Sequence, residues 1–172
     1  MSFMKKPKGF TLIELLIVIG IIAILAAIIY VSVDPARRLA EARNAERWSS
    51  ANAILNAFLK YTVDNAGSLP ATAVALDSAD GTVQLIGDNS GGTACATVTC
   101  AGETPAAASC FVTGLGTDLV DIYLASIPQD PSTGDADDTR YFINKSVNGR
   151  ITVGACDEEA VGGSTPTISV SR

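Results

Sequence analysis

Lys5-Lys6-Pro7-Lys8-Gly9-Phe10-Thr11-Leu12-Ile13-Glu14 runs directly into Leu15-Leu16-Ile17-Val18-Ile19-Gly20-Ile21-Ile22, and the apolar character lasts to Val33. About 20 such residues span a bilayer as a helix. One carboxylate, Glu14, interrupts the run. Lipid should exclude it unless it lies near the helix end and a cation neutralises it. Cutting the chain after Gly9 frees an α-amino group on Phe10, one helical turn from Glu14. That amine, on the same chain or on a neighbouring copy, is the natural partner. A general secretory signal fits poorly, because its apolar region is shorter and its cut site follows small residues. A plain signal anchor explains the hydrophobicity but not Gly-Phe-Thr-Leu-Ile-Glu.

On these residues the chain resembles the type IV pilin and type II secretion pseudopilin family. The likeness is close from residue 5 to about residue 35 and looser beyond. It implies cleavage between Gly9 and Phe10 by a prepilin peptidase on the cytoplasmic face, then N-methylation of Phe10. It also implies that Glu14 pairs with a neighbouring subunit's terminal amine during assembly. A cytoplasmic ATPase and a membrane platform are the implied partners, besides other copies of the chain. The precursor would sit as a single-pass protein in the inner membrane, and the product would be an extracytoplasmic or surface filament. Charge does not set the orientation, since Arg37, Arg38, Arg43 and Arg47 flank the far side as heavily as Lys5, Lys6 and Lys8 flank the near one.

Composition narrows the remainder. The 172 residues suit one small domain plus a membrane segment. Histidine is absent, which removes the commonest general base and metal ligand. The net charge is −6 and grows more negative when the leader lysines leave. An acidic exterior argues against nucleic acid, which is held through lysine and arginine patches. Serines lack a histidine partner, and no phosphate-binding glycine loop occurs, so no enzyme is expected.

Four segments are expected: a leader at 1–9, a transmembrane assembly helix at 10–33, an amphipathic helix at 34–64 and a head at 65–172. Asp34 is a good N-cap, and Pro35 is tolerated at the first helical position. Trp48, Ala51, Leu55, Phe58 and Thr62 form a stripe at helical spacing, read as the core face. The basic residues at 37–47 suit either anionic headgroups or the acidic loops of neighbouring subunits. In the head, strands are expected at 82–86, 141–145, 150–154 and 167–171, with a short helix at 119–124. Asn148-Gly149 signals a two-residue hairpin turn of type I′. The predicted class is α+β: a long N-terminal helix, half transmembrane and half amphipathic, packed on a small antiparallel sheet.

Asp130, Asp135, Asp137 and Asp138 crowd one loop, and calcium favours several hard oxygens at adaptable geometry. The EF-hand pattern is absent, and a solvated acidic turn is the preferred reading. The segment 127–131 also resembles the Pro-x-Asp-Pro turn of major pseudopilins, some of which bind calcium nearby, but Ser132-Thr133-Gly134 departs from that pattern. Cys95, Cys100, Cys110 and Cys156 lack the two close pairs usual in a zinc site, so two disulfides in an oxidising compartment are expected. Three pairings are open, and Cys95–Cys100 with Cys110–Cys156 is preferred. The rival function is a monomeric membrane-anchored binding module. Pilus and secretion pseudopilus are not separated, nor are adhesion, motility, DNA uptake and export.

Overall fold

The chain is described from a computed structural model over residues 9–70, 83–87, 100, 111–112 and 114–172. It divides into two compact units, Met1–Leu39 and Ala40–Arg172.

The first unit is dominated by helix α1, Leu12–Val33, in which no residue is buried. Its many isoleucines and valines are mediocre helix formers in water. In hydrocarbon a spanning segment must satisfy its own backbone, and the helix does so. α1 is long and apolar enough to cross a membrane. Asp34 adopts a left-handed conformation (φ 43°), and helix α2, Pro35–Asp64, follows. The Asp34 carboxylate accepts from the Arg37 N–H at 3.4 Å, as the N-cap reading anticipates.

The second unit holds most of α2 and a five-stranded sheet in the order β2-β1-β3-β4-β5. The strands are β1 Gln84–Ile86, β2 Phe111–Val112, β3 Tyr141–Lys145, β4 Ile151–Ala155 and β5 Ser169–Ser171. β1–β3, β3–β4 and β4–β5 are antiparallel, so the class is α+β as expected. β2 lies parallel to β1, a pairing between distant segments that no local pattern announces. The short helix α3 is Leu115–Leu119, earlier than the expected 119–124. Its Leu115 and Leu119, four apart, are both buried, and this one-turn repeat fixes its place. The β3–β4 connection also differs from expectation. Asn148 does not take positive φ, which excludes type I′; Gly149 alone does (82°), closing a three-residue loop. The Gly149 N–H donates to the Ser146 carbonyl at 2.8 Å.

Ala51, Ile54, Leu55 and Phe58 of α2 pack on Tyr141, Ile143, Val153, Ala155 and Ile168. Phe142, pointing to the other face, packs with Val83, Leu85, Cys100 and Cys156. Gly154 lies opposite Phe142, and a Cβ there would collide with the Phe142 ring and the Ile168 carbonyl. The expected α2 stripe is correct at Ala51, Leu55 and Phe58 but wrong at Trp48, which is 41% exposed. The buried face is rotated, and Asn44 and Arg47 occupy the positions facing the head.

Candidate functional site

The N-terminus of α1 is organised by Thr11. Its hydroxyl accepts from the Glu14 N–H at 3.3 Å, while Glu14 Oε2 accepts from the Thr11 N–H at 2.8 Å and the Thr11 hydroxyl at 2.7 Å. This is a capping box, which satisfies two otherwise orphaned helix-end donors reciprocally. It also gives the carboxylate local donors, easing its presence at the edge of an apolar helix. Threonine three residues before glutamate is the sequence signal for this motif. The sequence reading assigned Thr11 no such part. Phe10 is 85% exposed, and among the described residues nothing lies within 4 Å of a Cβ placed on Gly9.

Residues 4–30 match the family model described as the prokaryotic N-terminal methylation motif. The chain carries a prepilin leader signature. It is the signature of type IV pilins and pseudopilins. The match places Gly9, Phe10 and Glu14 inside the motif. No curated protein and no solved structure matches the chain. The apolar helix, most of which lies within the motif, accords with membrane anchoring of a precursor.

A second constellation lies in the head. The Arg47 side chain is fully buried, as is its partner Asp130. The guanidinium grips the carboxylate with two bonds, Nε to Oδ2 at 2.6 Å and Nη2 to Oδ1 at 3.0 Å. Its remaining donors reach Asn44 Oδ1 at 2.9 Å, Ser132 Oγ at 2.8 Å and Glu159 Oε1 at 3.2 Å. Arg43 holds Glu159 from the solvent side, Nε to Oε1 at 2.6 Å. Asn44 closes a ring by donating to the Glu159 carbonyl at 2.8 Å and accepting from its N–H at 3.1 Å. Burial pushes the Asp130 carboxyl up, but the Arg47 bonds and the Ser132 backbone and hydroxyl donors outweigh it and hold it at about 2. Of the expected basic cluster, Arg43 and Arg47 are thus committed to their own head.

Asp130, one of the four aspartates considered for calcium, belongs to this network. Both Asp130 oxygens are taken by a guanidinium, which would repel a divalent cation. Asp135 accepts from the N–H groups of Asp137 and Asp138 at 2.9 and 2.8 Å, and Asp138 pairs with Arg140 at 3.4 Å. Among the described residues no group of three side chains is gathered to hold a metal ion. Asp130, with both oxygens on Arg47, does not fit a cation site as arranged.

Cys100 bonds Cys156, which overturns the preferred pairing of Cys100 with Cys95 and of Cys156 with Cys110. The physical reason is sheet order: Cys156 follows β4, and Cys100 meets it in the cluster around Phe142. Cys95 and Cys110 lie outside the described residues. A cavity of about 250 Å³ between α3 and the 126–139 segment is lined by Ile86, Leu115, Val120 and Ile127, with no charged side chain. Its polar lining is Ser126, Gln129 and Thr139, and the Thr139 hydroxyl already donates to the Ile86 carbonyl at 2.6 Å.

Proposed function

We propose that this chain is the structural subunit of a type IV pilus-like or type II secretion pseudopilus filament. It is cut between Gly9 and Phe10 by a prepilin peptidase, methylated on the new Phe10 amine and polymerised through α1. The observation that carries the reading is Glu14. It is the one carboxylate in an apolar helix that buries nothing within its own chain, and it lies inside the matched motif.

In the precursor, the Thr11 capping box supplies the donors for Glu14. Hydrolysis of the Gly9–Phe10 bond releases an amine that is protonated at neutral pH. When another copy brings that ammonium to Glu14, a cation and an anion enter the helix bundle together, and neither is left unpaired. Lipid contacts along α1 are replaced by helix packing between copies. The assembly ATPase and membrane platform that act on related filaments are the expected machinery.

The test begins with intact mass, which should start at Phe10 and carry one added methyl. A mature terminus near Val31–Val33 would instead indicate signal peptidase and overturn the reading. Glu14→Ala should leave insertion and cleavage intact yet remove filaments from the sheared fraction. Co-expressed with wild type it should incorporate in part, because its own Phe10 amine still finds a wild-type Glu14. Normal filaments from Glu14→Ala alone would sink the pairing mechanism.

A further inference from the structure

The register of the sheet sorts charge to its two ends. β3 reaches Lys145, which pairs with Ile151 at the start of β4, directly after Arg150. The C-terminal residue Arg172 exchanges backbone bonds with that same Ile151, at 2.8 and 2.9 Å. Three cations therefore gather at one end, beside Val147, which is 64% exposed. Arg172 and Lys60 also line one shallow depression with Asp64 near the end of α2. Asp64 is engaged by the Tyr123 hydroxyl at 2.9 Å. The segment that carries Tyr123 also carries Asp121, so the cations of this end outnumber its carboxylates only on the hairpin side, at Lys145, Arg150 and Arg172.

The opposite end is acidic. β4 leads into Asp157, Glu158 and Glu159, and the turn before β3 holds Asp135, Asp137 and Asp138. Arg43, Arg47 and Arg140 are the cations there, and each already pairs within the head. The same polarity runs along α2, from Arg43 at the acidic end to Lys60 at the basic end, about 25 Å away at helical rise.

We infer that heads of successive copies dock end to end, the Lys145, Arg150 and Arg172 end of one against the acidic 135–138 and 157–159 end of the next. This rests on the filament reading. Copies added one after another by the same step meet through two different surfaces, a heterologous contact that propagates without closing. Charge complementarity then steers docking and sets register, with the exposed Val147 lying between Lys145 and Arg150 in the hairpin.

The experiment is charge inversion with rescue. Lys145→Glu with Arg150→Glu should lower sheared filament yield by about tenfold, while head melting temperature and Gly9 cleavage stay as in wild type. Adding Asp135→Lys and Asp137→Lys to the same chain inverts both ends and should restore most of the yield. The neutral pair Lys145→Gln with Arg150→Gln, on an exposed hairpin, should give an intermediate loss and covers the case in which inversion disturbs folding. Wild-type filaments should also dissociate faster in 1 M salt, where screening is nearly complete. Normal yield from the inverted basic end, or no rescue from the double inversion, overturns the contact alone. Absence of filaments from processed wild type overturns the filament reading and this contact with it.

Discussion

Helix α1 and the head solve opposite problems. Every residue of α1 faces outward, and its one charge is held by a neighbour three residues away. The head turns α2 inward and buries a full guanidinium against a carboxylate 83 positions along the chain. One region leaves its apolar surface uncovered by its own chain; the other has buried it. The difference separates what the two can tolerate: α1 substitutions should act on assembly, head substitutions on stability.

The largest test of that separation is Arg47. Removing one partner of a buried pair leaves an uncompensated charge, which costs roughly 3–5 kcal/mol. Arg47→Ala and Asp130→Asn should each lower the chemical-denaturation stability of the head by that order, with membrane insertion and Gly9 cleavage unchanged. Arg47→Met combined with Asp130→Ala should lose less than the two single losses added together, because no orphan charge remains. A loss below about 1 kcal/mol for Arg47→Ala would mean the pair behaves as a surface contact and the comparison with α1 collapses.

The same contrast explains what was legible in the sequence. α1 could be read because composition alone decides a lipid-facing helix. β3 was readable at Tyr141–Lys145 because a short run opening on the strand formers Tyr, Phe and Ile is bounded by turn residues. Arg47 was not readable: an arginine on a helix is solvated by default, and only Asp130, far along the chain, makes burial tolerable. The Cys100–Cys156 bond, the parallel β1–β2 pair and the place of α3 failed for the same reason, since each is settled by distant packing. Glu14, Gly9 and Phe10 lie in a local motif, whereas the head network is assembled from α2, the 130–132 turn and the segment after β4.

Next in size is the disulfide. Cys156→Ser should cost roughly 2–5 kcal/mol of head stability, read by melting under non-reducing conditions and by lower subunit abundance. With Cys100 and Cys156 joined, oxidation of the remaining thiols leaves Cys95 to bond Cys110, and peptide mapping should recover that pair. A Cys95–Cys100 peptide would break the assignment.

A smaller effect should appear on acidification. Asp130 is held at about 2, below its ordinary value of 3.8. Its contribution is fully present above the unfolded value and is lost as pH falls through 4 toward 2, an amount on the order of 2 kcal/mol. Head stability in the wild type should therefore decline across that window, and the decline should be shallower in Asp130→Asn. Equal slopes in the two proteins would show that other carboxylates carry the acid response.

Trp48 supplies the smallest and sharpest discrimination. If it belonged to the core stripe, Trp48→Ala would open a large cavity and cost roughly 3–5 kcal/mol. It is instead 41% exposed, beside the buried Arg47 and on the rim of the packed face. Its carbonyl, not its indole, accepts the Asn52 side chain at 2.8 Å, a bond that alanine keeps. Trp48→Ala should thus change head stability by about 1 kcal/mol or less, measured by denaturant melting against Phe58→Ala as the core reference. A loss equal to that of Phe58→Ala would put Trp48 back in the core and rotate α2 away from Asp130, contradicting the buried pair that distinguishes the head from α1.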